Sequence, residues 1–426
     1  MGGQGLNIAV VGGGAAGYFG AIAAASAHPN HRVTLYEAGP QPLAKVGISG
    51  GGRCNVTHHC FDPAQLVQCY PRGGKALRGA FSRFQPKDTV DWFTRRGVKL
   101  KTESDGRMFP VTDDSATVIA CLSRAAEKAG VQVKTRSPIV RAVWHGEWFE
   151  LMTRSEHTVL CDRLLLTTGS SPVGHRMARN LGHTLTPPVP SLFTFNVADK
   201  PLHQLSGVAV NPVTVRLKLA GMTSRRAKQA AQGLTQTGPL LITHWGFSGP
   251  AVLKLSAWGA RLLHEHNYKA QLVVNWLPDL SQEELTARLQ QIKQEHGKRA
   301  IATHSPFSGL SKRLWQYLLS RLAMDASQTW ASLSKKQLNR LVQTIARGSF
   351  DIAGKGVFKD EFVTCGGVSL KEVDFKTMES RLVPGLYFSG EILDIDGVTG
   401  GFNFQSAWTT SWLAGQAIGL PAPVNP

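Results

Sequence analysis

The sequence predicts an α/β chain: a parallel sheet covered by helices, interrupted by a β-rich segment that itself carries a helical block. Three observations predict it. A strand, a glycine-rich turn and an Ala-rich helix open the chain, and a second strand follows at once. From Pro187 the helical period disappears, and short β-branched segments alternate with turns. Near the C-terminus the pattern returns to strand, glycine-rich loop and helix, the grammar of the N-terminus.

"LNIAVVGGGAAGYFGAIAAASA" reads as strand, tight turn and helix, and "RVTLYEAG" as a second buried strand ending in Glu37. This is a βαβ unit, which favours a parallel sheet. "DSATVIACLSRAAEKAGVQVKTRS" adds a helix and a strand, and "CDRLLLTTG" a short buried strand closed at Gly169. "NPVTVRLKLAG" and "AQLVVNWLP" belong to the β-rich insert. In the helical block, Ser281 with Glu284 and Ser334 with Gln337 form capping-box patterns. Leu310, Leu314, Leu318 and Leu322 repeat every four residues, a core stripe. "GLYFSGEILDIDGVTGGFNFQSAWTTSWLAGQAIG" then completes the first domain. The expected boundaries are 1–189 and 364–426 for that domain, 190–280 for the β-rich insert, 281–348 for the helical insert, and 349–363 for a return strand.

With 426 residues, 42% hydrophobic and 18% charged, the chain has material for two or three ordinary globular domains. Its net charge of +18 is not ordinary and points to a polyanionic partner. Between Arg216 and Lys359 there are 21 Lys or Arg against 7 Asp or Glu, an excess of 14 in about a third of the chain. Within it, Arg225, Arg226 and Lys228 form the densest group, and Arg72, Lys75, Arg78, Arg83 and Lys87 make a second cluster. A solvated surface is the competing reading. The cysteines, Cys54, Cys60, Cys69, Cys121, Cys161 and Cys365, contain no CxxC pair and do not read as a disulfide framework. The N-terminus has no basic leader pattern, and no apolar run approaches the ~20 residues of a membrane span. A cytoplasmic location is expected.

Gly12, Gly14 and Gly17 form GxGxxG between a strand and a helix, with an acid twenty residues on at the next strand end. Gly12 permits the turn, and Gly14 admits a pyrophosphate to the helix N-terminus, where Ala15 and Ala16 lie. Gly17 allows close helix–strand packing, and Glu37 accepts the hydroxyls of an adenosine ribose. This is a dinucleotide signature of the Rossmann type. "LLLTTG" and "GLYFSGE" resemble the strands of two-dinucleotide-binding flavoproteins, with Glu391 where a carboxylate contacts the ribitol. No second GxGxxG occurs, so the site is expected to hold FAD, non-covalently, with no dedicated NAD(P) domain.

"KVGISGGGRCN" then acquires a use. Gly50, Gly51 and Gly52 let main chain lie against a flavin, with N–H groups toward phosphate, ribitol or ring oxygens. Lys45 opens this segment. Ser49 and Asn55 are placed to fix ring atoms, and Arg53 either to pair with phosphate or to anchor the loop. Gly400, Gly401, Phe402 and Asn403 open the last helix, whose N-terminus would stabilise a reduced, anionic ring. Gly390 and Gly169 complete the expected cofactor-binding set.

These motifs resemble those of the BaiN/RdsA-like bacterial flavoproteins, a family of NAD(P)/FAD-dependent oxidoreductases. The resemblance spans nearly the whole chain. It rests on "KVGISGGGRCN", on "THWGFSGPAVLKLS" and on the long run from "VTCGGVSLKEVDF" to "GGFNFQSAW". It implies an FAD domain interrupted by a small β-barrel with a helical insert. It also implies flavin-dependent reduction of activated C=C bonds, including a uracil ring in ribosomal RNA and a steroid enone.

Two residues stand as catalytic candidates. Cys54 reads as a proton donor tuned by Arg53, or as a small buried loop residue. His244, beside Trp245 in "THWGFSGPA", reads as a general acid, or as the histidine of a packed turn. Cys54, His58, His59 and Cys60 match no standard zinc spacing, so no metal is expected. Three functions remain open: reduction of ribosomal RNA uracil to dihydrouridine, with RNA held by residues 216–359; reduction of a small enone; or a flavin-containing RNA-binding factor with little turnover. NAD(P)H is the expected transient electron donor.

Overall fold

The computed structural model describes residues 5–219, 234–356 and 363–421. Arg225, Arg226, Lys228 and Lys359 therefore lie outside the described residues. The chain divides into two units, residues 1–189 with 363–426, and residues 190–362.

The first unit is built on a seven-stranded sheet. Its five parallel strands run, in spatial order, Leu386–Phe388, Arg163–Leu166, Asn7–Val11, Arg32–Tyr36 and Gln132–Lys134. Two short antiparallel strands, Glu379–Ser380 and Val373–Asp374, extend one edge. Val10 lies between Leu165 and Leu35, and all three are buried. That is why these strands read as unbroken apolar runs rather than alternating ones. The C-terminal segment does complete this sheet, since Leu165 pairs with Tyr387.

The opening helix Ala15–Ala27 and the last helix Phe402–Ala417 are buried almost all round. Small residues allow their close approach: a Cβ on Gly415 would fall 2.5 Å from the Ala23 Cβ. Two antiparallel sheets were not legible in the sequence. Ile139–Trp144, Phe149–Thr153 and Thr158–Cys161 form one; Thr57–His58, Arg107–Pro110 and Leu100–Thr102 form the other. The second supports the downstream end of the "SGGGRCN" loop.

The second unit contains a closed six-stranded antiparallel barrel. Its strands run, in order around it, Phe195–Val197, Gly246–Ser248, Thr235–Thr243, Ala209–Lys218, Ala270–Asn275 and Gly348–Lys355. The helices Gln282–Glu295, Lys312–Ser320 and Lys335–Arg347 belong to the same unit. Both capping boxes form: Ser281 Oγ accepts from Glu284 N–H at 3.1 Å, and Ser334 Oγ from Gln337 N–H at 3.2 Å. Leu310, Leu314 and Leu318 are buried and Leu322 is partly so. The stripe shares one core with the barrel residues Val215, Phe247 and Trp276. The helical block is thus an extension of the barrel's core.

Candidate functional site

The turn after the first strand is shaped by contacts that exclude side chains. Gly12 has φ +112°, and a Cβ there would fall 2.6 Å from the Thr167 carbonyl oxygen. A Cβ on Gly17 would fall 1.8 Å from the Gly12 carbonyl oxygen. Thr167 Oγ1 reaches both the Val11 and Gly12 carbonyl oxygens at 2.9 Å, so the neighbouring strand clamps the turn. Gly14 differs. It is the N-cap, with φ −81° and ψ −169°, and a Cβ there would meet nothing within 4 Å. No side chain caps the helix, and no acid lies in its first turn. Its N–H groups and positive dipole end are left for an anion. Ala16 instead packs inward, 2.8 Å from where a Cβ on Gly390 would lie.

Glu37 is oriented by main chain. Its Oε2 accepts the Gly13 N–H at 2.7 Å and its Oε1 the Gly39 N–H at 2.6 Å. Both oxygens keep lone pairs for a ligand.

The two glycine loops are joined. Leu43 donates its N–H to the Gly13 carbonyl oxygen at 2.8 Å, just before the helix Ala44–Ile48 that carries Lys45. The next residues turn back through three left-handed glycines, Gly50 (φ +57°), Gly51 (φ +70°) and Gly52 (φ +85°). The turn closes with Cys54 N–H on the Ser49 carbonyl oxygen at 3.0 Å. A Cβ on Gly51 or Gly52 would meet nothing within 4 Å, whereas one on Gly50 would crowd Asn55 N and the Phe109 ring. Gly51 and Gly52 therefore present bare main chain.

Arg53 makes the contacts of a loop anchor. Its Nη1 lies 2.7 Å from Glu103 and 3.4 Å from Asp113, and the guanidinium sits 4.0 Å from the Phe109 ring centroid. The expectation that Arg53 tunes Cys54 does not hold. Cys54 is fully buried at φ +60°, and burial pushes its thiol up to about 12. That is the environment of a packed, protonated thiol. Ser49 Oγ donates to the Val46 carbonyl oxygen at 2.8 Å.

Three expected site residues from distant parts of the chain meet. Lys45 Nζ lies 3.4 Å from Glu391 Oε2, and a Cβ on Gly169 would be 3.5 Å from that same oxygen. Glu391 Oε1 accepts the Thr364 N–H at 2.9 Å. Burial pushes the Glu391 carboxyl above the usual carboxylate range, against the pull of Lys45.

The last helix starts at an uncapped N-terminus with no acid in its first turn. Gly401, at φ +90°, is required because a Cβ would fall 2.5 Å from the Thr57 carbonyl oxygen and 2.8 Å from Asn55 Oδ1. Asn403 turns out to be a loop clamp: it accepts from Gly397 N–H at 2.8 Å and donates to the Gly397 carbonyl oxygen at 2.9 Å. His58 Nδ1 lies 3.0 Å from the Gly400 carbonyl oxygen, and its ring packs 4.5 Å from that of Phe402. Trp408 Nε1 donates to the Val56 carbonyl oxygen at 2.9 Å. Buried beneath lies a network of Thr57, Thr89, Gln405 and Thr409. Arg72 grips the fully buried Asp396 through both carboxylate oxygens. Sequence reasoning missed Thr167 and Glu103; Thr167 sits in a quoted motif, and Glu103 had no sequence signal. The sequence marks Arg72 as one of a basic cluster and Asp396 as an acid of the loop before the last helix, but not that the two pair.

His244 and Trp245 are exposed on the turn between the strands Thr235–Thr243 and Gly246–Ser248. Trp245 O accepts the Val197 N–H at 2.9 Å. Among the described residues, no three His, Cys, Asp or Glu side chains are grouped to hold a metal ion, and no helix is long and apolar enough to cross a membrane. The first unit's residues fit a dinucleotide: a glycine face open to a phosphate, a free helix N-terminus, and a carboxylate held ready at the end of the second strand.

A family model described as HI0933-like protein Rossmann domain matches residues 6–417. A ribosomal RNA dihydrouridine synthase of Escherichia coli (strain K12) is 31% identical over 427 residues, covering 96% of this chain and 97% of that protein. A 3-dehydro-bile acid delta(4,6)-reductase of Clostridium scindens is 28% identical, covering 96% of this chain and 98% of that protein. The solved structure of the 3-ketosteroid delta1-dehydrogenase from Sterolibacterium denitrificans, in complex with 1,4-androstadiene-3,17-dione, matches 98% of this chain and 100% of its own. The TM-score is 0.50 and the identity 12%, a likeness of fold alone.

Proposed function

The chain belongs to the HI0933-like family, and on that premise we propose that it is an FAD-dependent reductase of activated carbon–carbon double bonds whose substrate is a uracil of ribosomal RNA, converted to dihydrouridine. The observation that carries the cofactor is the joined pair of glycine loops: open main chain at Gly14, Gly51 and Gly52, linked through Leu43 and Gly13. The Gly14 turn and the opening helix would hold the pyrophosphate. Glu37 would hold the adenosine ribose, and Glu391 with Lys45 the ribitol. When bound, FAD would supply hydride transfer to an electron-poor carbon, with NAD(P)H as the expected transient electron donor. The N-terminus of the last helix, with no acid in its first turn, favours negative charge on what it faces. His244, exposed on its turn, is the proposed acid of the reaction.

The choice of substrate is supported by the 31% identical relative named for ribosomal RNA, and by the basic excess within residues 216–359. A second reading, reduction of a small enone, is supported by the relative named as a bile acid reductase.

The test has two parts. The protein should purify yellow and release FAD on denaturation. Gly14→Val should purify folded but colourless, because the backbone at φ −81° accepts a side chain and the added carbons fill only the open face. A Gly14→Val protein with full FAD content would refute the assignment. The anaerobically reduced enzyme should then be reoxidised by ribosomal RNA fragments bearing the target uracil. Reoxidation by a steroid enone alone would select the second reading.

A further inference from the structure

A concavity of about 800 Å³ lies on the first unit, at the far end of the opening helix from the glycine turn. Its floor is apolar, with Ile22 and Ala25 of that helix and Ala125 opposite. Its rim carries four cations, Arg95, Arg96, Arg124 and Lys128, and no carboxylate lines it. The arrangement follows from sequence. Arg124 and Lys128 are one turn apart on the helix Ser115–Lys128, so they share a face. Arg95 and Arg96 follow the helix Pro86–Thr94.

Cations at helix C-termini offset the macrodipole, and that accounts for one at each end. It does not account for four around one hollow. Arg95, Arg124 and Lys128 are exposed, and among the described residues none is paired with a carboxylate. Arg96 lies over the Trp92 ring at 3.8 Å and donates to the Trp92 carbonyl oxygen at 3.1 Å. Burial lowers the Arg96 guanidinium below its ordinary value, with Cys121 pulling the other way and Arg95 adding a smaller push down.

We infer that this hollow is a docking site for the phosphate backbone of RNA, remote from the reacting centre and separate from the basic insert. The inference rests on the RNA reading proposed above and adds where a large substrate is held. Ile22 to Ser26 lie roughly 12–18 Å along the helix from Gly14, at ~1.5 Å per residue. A small enone in the cofactor site does not span that distance; an RNA strand does, and it presents phosphates repeatedly along the way. The rim supplies guanidinium forks suited to phosphate.

The experiment measures binding of a fluorescein-labelled single-stranded RNA oligonucleotide, and of its duplex, to the FAD-loaded protein across a salt series. The variant is Arg95→Gln/Arg124→Gln/Lys128→Gln. A control, Arg141→Gln/Arg154→Gln/Lys371→Gln, changes the net charge equally at exposed positions outside the hollow. If all three cations contact phosphate, the log–log salt slope falls by about two on single strands, ~0.7 per contact, and by nearly three on duplex. FAD content and reduction of a small enone stay at the parent level, and the control keeps the parent slope. A variant slope equal to that of the control overturns the inference while leaving RNA binding by the protein intact. Inorganic pyrophosphate that binds the parent but not the variant, with the RNA slope unchanged, assigns the hollow to a free phosphorylated ligand and overturns the RNA commitment. A parent protein with no salt-dependent RNA binding overturns the inference together with the substrate reading.

Discussion

The exchange at Glu37 shows how one residue's role is set by two backbone donors. With Gly13 N–H on one oxygen and Gly39 N–H on the other, the carboxylate is pinned in a single orientation before any ligand arrives. Glu37→Gln keeps the shape but turns one acceptor into a donor facing an N–H. Hydrogen bonds to charged groups contribute about 1.5–3 kcal/mol, so FAD affinity should fall by roughly ten- to a hundredfold in an FAD titration of the apoprotein. Turnover at saturating FAD should stay near the parent value, because on the proposed reading Glu37 holds the adenosine end, away from the reacting ring. A large loss of turnover at full occupancy would contradict that role. Glycines divide in the same way. Gly12 and Gly17 are required by neighbouring backbone, whereas a Cβ on Gly14 would meet nothing within 4 Å, so only the proposed ligand calls for a glycine there.

At the scale of elements, the edge of the sheet is tied to the helix Pro172–Asn180 by a buried histidine just beyond that helix. Ser380 Oγ already accepts the Leu382 and Val383 N–H groups. Its own hydrogen therefore goes to His183 Nε2 at 2.9 Å, and His183 Nδ1–H donates to Glu372 at 3.1 Å. Burial pushes the His183 pKa below its ordinary 6.5, with Glu372 pulling the other way. The folded state thus prefers the neutral ring. Its stabilisation is complete above 6.5 and is lost as pH falls through the lowered folded value. His175, pushed down by burial and by Arg179, acts in the same sense. The melting temperature of the apoprotein should therefore fall on acidification from about pH 7.5 to about 5, the range in which histidine titrates. The gap between the parent and His183→Gln should narrow over that range, because the variant has no ring to protonate. A gap that widens in acid would refute the assignment of the neutral form.

Over the whole molecule, most of the charge and the proposed cofactor site are placed in different parts of the chain. Residues 216–359 hold 14 of the net 18 positive charges, while the glycine loops, Glu37 and Glu391 belong to the first unit. Two activities should then respond differently to salt. RNA binding should weaken steeply and linearly on a log–log plot, at ~0.7 to 0.9 per phosphate contacted. Reduction of a small neutral enone by the same preparation should change little. Parallel salt dependence of the two would mean that salt acts on the reductase itself, and the charged insert would lose its assigned purpose.

The sequence alone determined the parts written in neighbouring residues. The strand–turn–helix opening, the change of period at Pro187, both capping boxes and the four-residue leucine stripe were legible because helices, strands and turns depend on spacings of two to four residues. The GxGxxG turn and its acid were legible for the same reason, being one βαβ unit. Tertiary structure decided the partners. Lys45 meets Glu391, Thr57 meets Gln405 and Arg72 meets Asp396, and each pair is separated by more than 300 residues. It also decided that Arg53 anchors its loop, that Asn403 clamps Gly397, and that Cys54 is a buried thiol pushed up to about 12. The four cations around the hollow come from two separate stretches of chain, and no local spacing announces that they share a rim. A side chain's charge state and partner depend on what packs against it in three dimensions, and periodicity carries no record of that.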